Sequence, residues 1–236
     1  LGKDQTITFK TGPAERYLTG PANGFATLDP SAEKPVFTVY SVNYDRLRVR
    51  AYAVEPQDWP AYQQYMATMY NDNPPEPPGR QVISNIMTIS ADPDTLTETA
   101  IDLTKALQGT SGHLIVIVDF PPNPLATQKD QNIVQAWVQR TQIGLDALVD
   151  HSTLIGWTTA LTDGKPLAGV QLSLLGANIT ATTSSTGTAN LALTDSPAAL
   201  LIARKGNDTA ILPQSTYPGG GWQRMPLADA LRWYVF

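Results

Sequence analysis

Apolar and polar residues alternate with a period of two through most of this chain. The clearest example is residues 47–54, where Leu47, Val49 and Ala51 fall on one side of an extended strand and Arg48 and Arg50 fall on the other. We expect the first side to face a core and the second to face mostly solvent. Similar segments predict further strands at 5–9, 36–41, 81–90, 95–103, 114–120, 136–144, 154–162, 169–175, 180–183, 188–193, 198–205, 209–212 and 233–236.

These predicted strands are short and are separated by Gly, Pro, Asn and Asp at intervals of roughly 8–12 residues, which is typical of an all-β sandwich. One helix interrupts the pattern. Asp58 is a candidate N-cap, Pro60 suits the first turn, and Tyr62, Tyr65 and Met69 recur at helical spacing. Four prolines in residues 71–79 end this helix in a loop, since proline removes amide donors and fixes φ.

The length of 236 residues favours two domains of ordinary size. A proline-rich stretch at 120–124, followed by polar residues 127–132, is the best candidate linker. We therefore predict two antiparallel β-sandwich domains, at 23–127 and 128–236, the first with a short inserted helix. Residues 1–22 are predicted to be the tail of an upstream immunoglobulin-like domain or a linker.

Composition narrows the possible functions. With 42% hydrophobic and 16% charged residues the chain is expected to fold around a core, and a net charge of −5 without a Lys/Arg cluster argues against nucleic acid as a partner. There is no cysteine, so disulfides, thiolate metal sites and cysteine nucleophiles are excluded. No apolar run approaches the roughly 20 residues of a membrane span. Because the sequence begins with Leu1 rather than Met, we interpret it as an excised fragment.

The residues that could carry chemistry form no recognisable catalytic or metal-binding pattern. The two histidines, His113 and His151, lie near Ser111 and Ser152, but neither serine occupies the strand-turn-helix elbow of a nucleophile. The carboxylates of Asp92, Asp94 and Glu98 are too few for calcium and lack the characteristic loop with its central glycine. The sequence thus predicts no catalytic residue, no metal site and no cofactor.

Aromatic and glycine-rich segments have a structural explanation. The glycines at 219–221 lack the Lys-Ser/Thr that would hold a phosphate, and they predict a loop. Five tryptophans raise the possibility of sugar binding, but Trp137 and Trp157 lie in predicted strands, so we expect both to be core residues of the second domain and not ligand platforms. The glycosylation patterns at Asn178 and Asn207 are too short to be informative.

The second half contains a more specific pattern, carried by residues 137–145 (WVQRTQIGL) and 154–174 (LIGWTTALTDGKPLAGVQLSL). These residues resemble a macroglobulin-like domain of bacterial alpha-2-macroglobulins, in which a Gln-x-Thr-x-Leu/Ile-Gly strand precedes a strand ending in Thr-Asp-x-x-Gly-Lys-Pro. The resemblance continues at 200–212 and, in the first half, at 34–52. Physically, residues 162–166 and 185–189 also predict tight turns between strands.

The resemblance implies a scaffold role in a broad-spectrum endopeptidase inhibitor that traps proteases after bait cleavage. It implies a periplasmic or extracellular protein, anchored to a membrane through its N-terminus, whose partners are neighbouring macroglobulin-like domains and target proteases. The family's thioester segment, Cys-x-Glu-Gln, does not occur in this chain. The prediction is therefore a non-enzymatic piece of the inhibitor, without membrane contact of its own. The alternative is a cell-surface or carboxypeptidase-associated β-sandwich binding module, which residues 164–169 with 182–189 also fit.

Overall fold

A computed structural model describes residues 7–21, 24–69, 71, 75–107, 111–121, 132–216 and 219–225. Within these ranges the regular secondary structure is almost all β-strand, as predicted, with one α-helix, α1 (Trp59–Thr68), after a 3₁₀ turn at Pro56–Asp58. The strands are β1 (Tyr17–Thr19), β2 (Phe25–Leu28), β3 (Val36–Val42), β4 (Arg46–Val54), β5 (Arg80–Thr88), β6 (Thr97–Asp102), β7 (Gly112–Asp119), β8 (Val134–Arg140), β9 (Ile143–Val149), β10 (Thr153–Ala160), β11 (Gln171–Leu174), β12 (Thr180–Thr182), β13 (Thr188–Ala192), β14 (Leu201–Lys205) and β15 (Asp208–Leu212).

The first sandwich consists of a three-stranded sheet, β1-β3-β6, and a five-stranded sheet, β2-β8-β7-β4-β5. Alternate residues of β4 point into the core between the sheets, and Leu47, Val49 and Ala51 are at most 1% exposed there. Phe37 and Val39 of β3 supply the opposite wall. The predicted inward-facing positions of β4 are thus confirmed, because a pleated strand presents every second side chain to the same side.

The second sandwich consists of a three-stranded sheet, β13-β10-β9, and a four-stranded sheet, β12-β11-β14-β15. Leu154 and Leu191 from the first of these sheets meet Leu172 and Leu201 from the other in a continuous core. The predicted turns are present. Gly164 and Gly187 adopt positive φ of 71° and 76°, a conformation that glycine reaches without the steric cost of a side chain.

Backbone hydrogen bonds place β8 in the first sandwich. The boundary predicted near residue 128 had assigned these residues to the second domain. β8 pairs antiparallel with β7, from Gly112 opposite Arg140 to Val118 opposite Val134. The single strand predicted at 136–144 is in fact two strands, β8 and β9, which belong to different sheets and are separated at residues 141–142. The proline-rich stretch therefore connects two strands of one sheet, and the chain crosses between the sandwiches one strand later.

The N-terminal prediction also needs correction. Residues 7–16 have no regular structure, and Ile7 and Phe9 are more than 80% exposed, so the described part of the predicted strand at 5–9 is not a strand. β1 lies within the segment assigned to an upstream domain, yet it pairs with β3 of the first sandwich. β2, which was not predicted, runs parallel to β8, whereas the other strand pairs among the described residues are antiparallel. The predicted strand at 233–236 lies outside the described residues.

The second face of the five-stranded sheet is buried as well, although the sequence predicted it to be mostly solvent-exposed. Tyr52, Val54, Ile115 and Ile117 on this face are at most 6% exposed, because α1 and the four-stranded sheet of the second sandwich cover them. The side of β14 and β15 that points away from the core of the second sandwich packs against this face. The four sheets consequently stack in succession, with three cores between them.

Candidate functional site

The contact between the two sandwiches is the most extensively built feature outside their cores. We refer to it as the junction, which consists of the second face of the five-stranded sheet, α1, and the facing side of β14 and β15. Its apolar part is formed by Tyr52, Val54, Trp59, Tyr62, Tyr65, Ile115, Ile117, Trp137, Leu200, Ile202 and Ile211. Because residues from both sandwiches are buried together, the junction fixes the sandwiches relative to each other.

Aromatic rings from α1 and β8 form the centre of the junction. The Trp59 and Trp137 rings meet edge-to-face with centroids 5.2 Å apart, and Tyr62 lies 5.6 Å from Trp137. All three side chains are fully buried, and the offset and tilted ring geometries are those that aromatic quadrupoles favour. Burial raises the pKa of the Tyr62 hydroxyl, and it raises the pKa of Tyr65 to about 12. Trp137 is therefore buried as expected, but the prediction that it belongs to the core of the second domain is wrong, because it lies on β8 of the first sandwich and packs at the junction.

His113 belongs to the junction and is almost completely buried. The indole Nε1 of Trp137 donates a hydrogen bond to His113 Nδ1 over 3.2 Å, so Nδ1 is unprotonated and the ring proton lies on Nε2. Nε2 faces β15 near the backbone of Thr209 but makes no hydrogen bond of good geometry. Burial lowers the pKa of His113 to about 4, and the positive charge of Arg204 acts in the same direction. His113 is thus a neutral packing residue at physiological pH.

A glutamine side chain extends the β-type pairing from one sandwich to the other. Gln139 of β8 donates from Nε2 to the carbonyl of Ile211 over 3.3 Å and accepts from the Ile211 amide at Oε1 over 2.9 Å. At the crossover itself, the backbone amide of Gln142 donates to Asp208 Oδ2 over 2.8 Å. The side-chain amide of Gln139 and the backbone of Ile211 satisfy each other and set the position of β8 relative to β15, which apolar contacts alone leave loosely specified.

A salt-bridge cluster lies on the same face of the five-stranded sheet. Arg48 Nε donates to Asp119 Oδ1 over 2.7 Å, and Arg48 and Arg50 both donate to Asp119 Oδ2, over 2.6 and 2.8 Å. The Asp119 side chain is 6% exposed, and its hydrogen bonds raise the pKa of Arg48. Pairing of this kind allows charged residues to occupy a face that is otherwise apolar.

A groove opens beside the junction, between the two sandwiches. It has a volume of about 370 Å³, and its walls include Phe25, Thr27, Asp146, Trp157, Thr159 and Leu161. Trp157 is 49% exposed here, so the prediction that it is a core residue is wrong. On β10 the alternate residues Leu154, Gly156 and Thr158 face the second core, which leaves Trp157 on the outward face.

The residues considered for catalysis or metal binding are not brought together. His151 uses Nδ1 to bond the carbonyl of Met225, which holds the segment after Trp222 against the second sandwich. Asp94 accepts from Asn43 Nδ2 and from the backbone amide of Ala14, so it ties the N-terminal segment to the first sandwich. Within the described ranges, no three His, Asp or Glu side chains are grouped so that they could hold a metal ion.

Trp222 explains the glycine-rich segment at 219–221. Its backbone pairs with Ala198, and its Nε1 donates to the carbonyl of Leu212 over 3.1 Å. A side chain on Gly221 would place its Cβ 2.9 Å from Pro197, so this glycine permits the close approach.

The helix found in the described part of the chain is too short and too polar to cross a membrane.

Sequence reasoning identified no functional residues, and it missed both the junction and the groove. A signal for the junction was present in β7, where residues 114–118 carry apolar side chains at consecutive positions instead of alternating ones. Such a run indicates a strand that is buried on both faces.

Comparisons with known proteins give a likeness in structure but none in sequence. No protein-family model and no curated protein sequence matches the chain. The chain is similar to a crystal structure of native alpha-2-macroglobulin from Escherichia coli that spans domains NIE-MG1, with a TM-score of 0.64, 22% identity, and coverage of 84% of this chain and 97% of the other.

Two further solved structures extend this likeness. The E. coli protein spanning domains MG0-NIE-MG1 gives a TM-score of 0.59 and 21% identity, over 89% of this chain and 66% of that one. A Salmonella alpha-2-macroglobulin variant gives 0.54 and 18% identity, over 87% of this chain but only 12% of the Salmonella chain. At these identities the comparisons show a shared fold, which is the predicted macroglobulin-like β-sandwich architecture.

Proposed function

We propose that this chain is a two-domain segment of an alpha-2-macroglobulin-like protease inhibitor, in which it acts as a structural scaffold. The support is that one continuous structure, NIE-MG1 of the E. coli protein, matches 84% of this chain, which is more than either sandwich alone spans, over 97% of its own length. The sequence resemblance at 137–145 and 154–174 points to the same family independently of the fold.

In this proposal the first sandwich corresponds to NIE and the second to MG1, the order in which the E. coli domains are named. The domain boundary lies at Thr141 and Gln142, where the chain passes from β8 of one sheet into β9 of another. The alternative of an independent binding module accounts only for the second sandwich, and it leaves the junction without a role.

The observation that carries the scaffold role is the junction. A connection of two residues, a buried aromatic cluster and the pairing of Gln139 with Ile211 hold the sandwiches in one arrangement. An inhibitor that traps proteases by changing conformation needs parts that do not deform while others move. We propose that this segment is one of those parts, in a periplasmic or extracellular protein, and that it has neither enzymatic activity nor nucleic-acid or membrane contacts of its own.

The rigidity can be tested directly, because the chain contains no cysteine that would compete with introduced labels. Spin labels at Asn85→Cys on β5 and Lys165→Cys in the second sandwich place one exposed probe on each side of the junction. We expect a single narrow distance distribution. Gln139→Ala should broaden it, whereas Gln171→Ala, which changes an exposed glutamine of β11 outside the junction cluster, should not.

A broad distribution in the unmodified chain would contradict a scaffold role. The family proposal has a separate test: the purified chain alone should neither cleave nor inhibit trypsin at equimolar concentration. Protein expressed with the residues that flank the chain in its gene should form a stable complex with trypsin. Inhibition by the chain alone would show that the trapping elements lie within it and would refute the proposed division of roles.

A further inference from the structure

We propose that the groove between the sandwiches binds a neutral saccharide, with Trp157 as the stacking platform. The proposal does not depend on the family assignment, since it rests on the groove's own residues. Its volume of about 370 Å³ falls within the range of small-ligand sites, roughly 300–1,000 Å³.

The first observation is the position of the indole. Trp157 is half exposed on the outward face of β10, although a tryptophan can bury roughly 150–250 Å² of mostly apolar surface when it is packed. The core of the second sandwich is complete without it, because Leu154 fills the inward side of β10 and Leu172 of the opposite sheet packs against that side. Its ring therefore contributes a flat apolar surface to the groove instead of to the core.

The second observation is what surrounds the ring. In the sheet, Trp157 is paired with Asp146 of β9 on one side and with Thr188 of β13 on the other. Thr159 follows two residues later on the same face of β10. An apolar platform bordered in the groove by the Asp146 carboxylate and the Thr159 hydroxyl matches a sugar ring, which presents C–H groups on its face and hydroxyls around its edge.

The third observation is the charge. Among the groove-lining residues that the structure describes, Asp146 is the only ionisable one. Its Oδ1 accepts one hydrogen bond, from the Ala147 amide over 2.7 Å, and a carboxylate has about four acceptor positions, so capacity remains for ligand hydroxyls. A lone carboxylate repels anions, which excludes acidic sugars and phosphorylated ligands.

The pairing of β10 favours a saccharide over a peptide. Because β9 and β13 flank Trp157 on both sides, the backbone beside the platform is already hydrogen-bonded within the sheet. A peptide that binds by strand addition needs an unpaired sheet edge, which β10 does not offer. A strand added at the free edge of β9 would be separated from the indole by β9 itself, so a ligand that stacks on the indole is recognised through side chains.

Gly144 shapes the floor of the groove. A Cβ at this position would lie 2.6 Å from Thr159 Oγ1 and 3.1 Å from Leu161 Cδ2, so glycine lets both side chains lie across β9. Leu161, which is 41% exposed, extends the apolar surface next to Trp157. The platform is thus elongated along β10, which suits an oligosaccharide better than a single sugar.

The test is isothermal titration of the purified chain with cellotetraose, chitotetraose and maltotetraose. We expect at least one of them to bind saturably with a Kd of about 1 mM or tighter. Trp157→Ala should weaken that binding at least about tenfold, Trp157→Phe less, and Asp146→Asn by several-fold. Leu148→Ala is the matched control, because Leu148 is 70% exposed on the same outward face but does not line the groove.

Thermal unfolding of each variant separates a binding defect from misfolding, and an outward-facing residue should change the stability little. Absence of saturable binding to all three sugars would overturn the proposal. Equal binding by Trp157→Ala, or a Leu148→Ala loss as large as that of Trp157→Ala, would also overturn it. Binding of a strand-forming peptide at the groove in place of the sugars would show that the ligand class is wrong.

Discussion

Acidification should destabilise the chain through His113. The ordinary pKa of the side chain is 6.5, and burial at the junction lowers the pKa to about 4. The native state therefore prefers the neutral ring, and between pH 4 and 6.5 the unfolded state binds more protons. The stabilising contribution is fully present above pH 6.5 and is lost as the pH falls toward 4. The two pKa values differ by about 2.5, which at about 1.4 kcal/mol for each pH unit amounts to about 3 kcal/mol.

Two of the three influences on His113 lower its pKa. Burial is the largest of them, and a proton on Nδ1 would also break the hydrogen bond that Trp137 donates there. The backbone of Thr209 acts the other way and raises the pKa, but burial outweighs it. The nearby charge that acts on the ring is that of Arg204, which repels an imidazolium. No carboxylate among the described residues is paired with His113, so protonation at this site gains no compensating ion pair.

Urea unfolding, followed by tryptophan fluorescence between about pH 7.5 and 4.5, measures the effect. His113→Gln retains an acceptor for the Trp137 indole but does not ionise. On acidification the variant should therefore lose less stability than the unmodified chain, and the difference between the two losses should reach up to about 3 kcal/mol. Exposed aspartates whose pKa is lowered by hydrogen bonds, such as Asp94 and Asp163, destabilise both proteins alike on acidification. His151→Gln is the control. Parallel curves for the unmodified chain and His113→Gln would refute the reasoning.

Three further predictions concern stability, each measured as the free energy of unfolding in urea. Trp137→Ala should cost about 3–5 kcal/mol, because it empties the centre of the junction, whereas Trp157→Ala should cost less than about 1 kcal/mol; equal losses would contradict the assigned environments. Asp119→Asn should cost about 2 kcal/mol by leaving Arg48 and Arg50 poorly compensated, and the double variant with Arg48→Met should recover part of the loss. Gly187→Ala should cost more than Gly164→Ala: both have positive φ, but a Cβ at 187 would lie 2.4 Å from the Thr158 carbonyl oxygen, while the space at 164 is open.

The candidate site could not have been assembled from the sequence. The groove brings together Thr27, Asp146 and Trp157, which are separated by more than a hundred residues at the widest, and no local pattern links them. The pairing of Gln139 with the backbone of Ile211 is equally long-range. Only the run of consecutive apolar residues in β7 indicated that the sheet is covered on both faces.

What the sequence determined by itself is local. The alternation in residues 47–54 specified which side chains of β4 share a face, because a strand has a period of two whatever it packs against. The glycines of the turns at 162–166 and 185–189 specified where the chain reverses, since positive φ is a property of single residues. The helix after Asp58 and the all-β class follow from the same short-range rules.

The tertiary structure decided which face of each strand is buried and to which sheet each strand belongs. Trp137 and Trp157 have similar strand-like neighbours, yet one is fully buried and the other is half exposed. The difference arises because β8 lies between two layers, whereas β10 has a layer on one side only. The break at residues 141–142, which separates β8 of the first sandwich from β9 of the second, also depends on tertiary contacts. Long-range pairing with β2 and β7 outweighs the local continuity of residues 136–144, since each paired strand gains hydrogen bonds and buried surface that an isolated strand lacks.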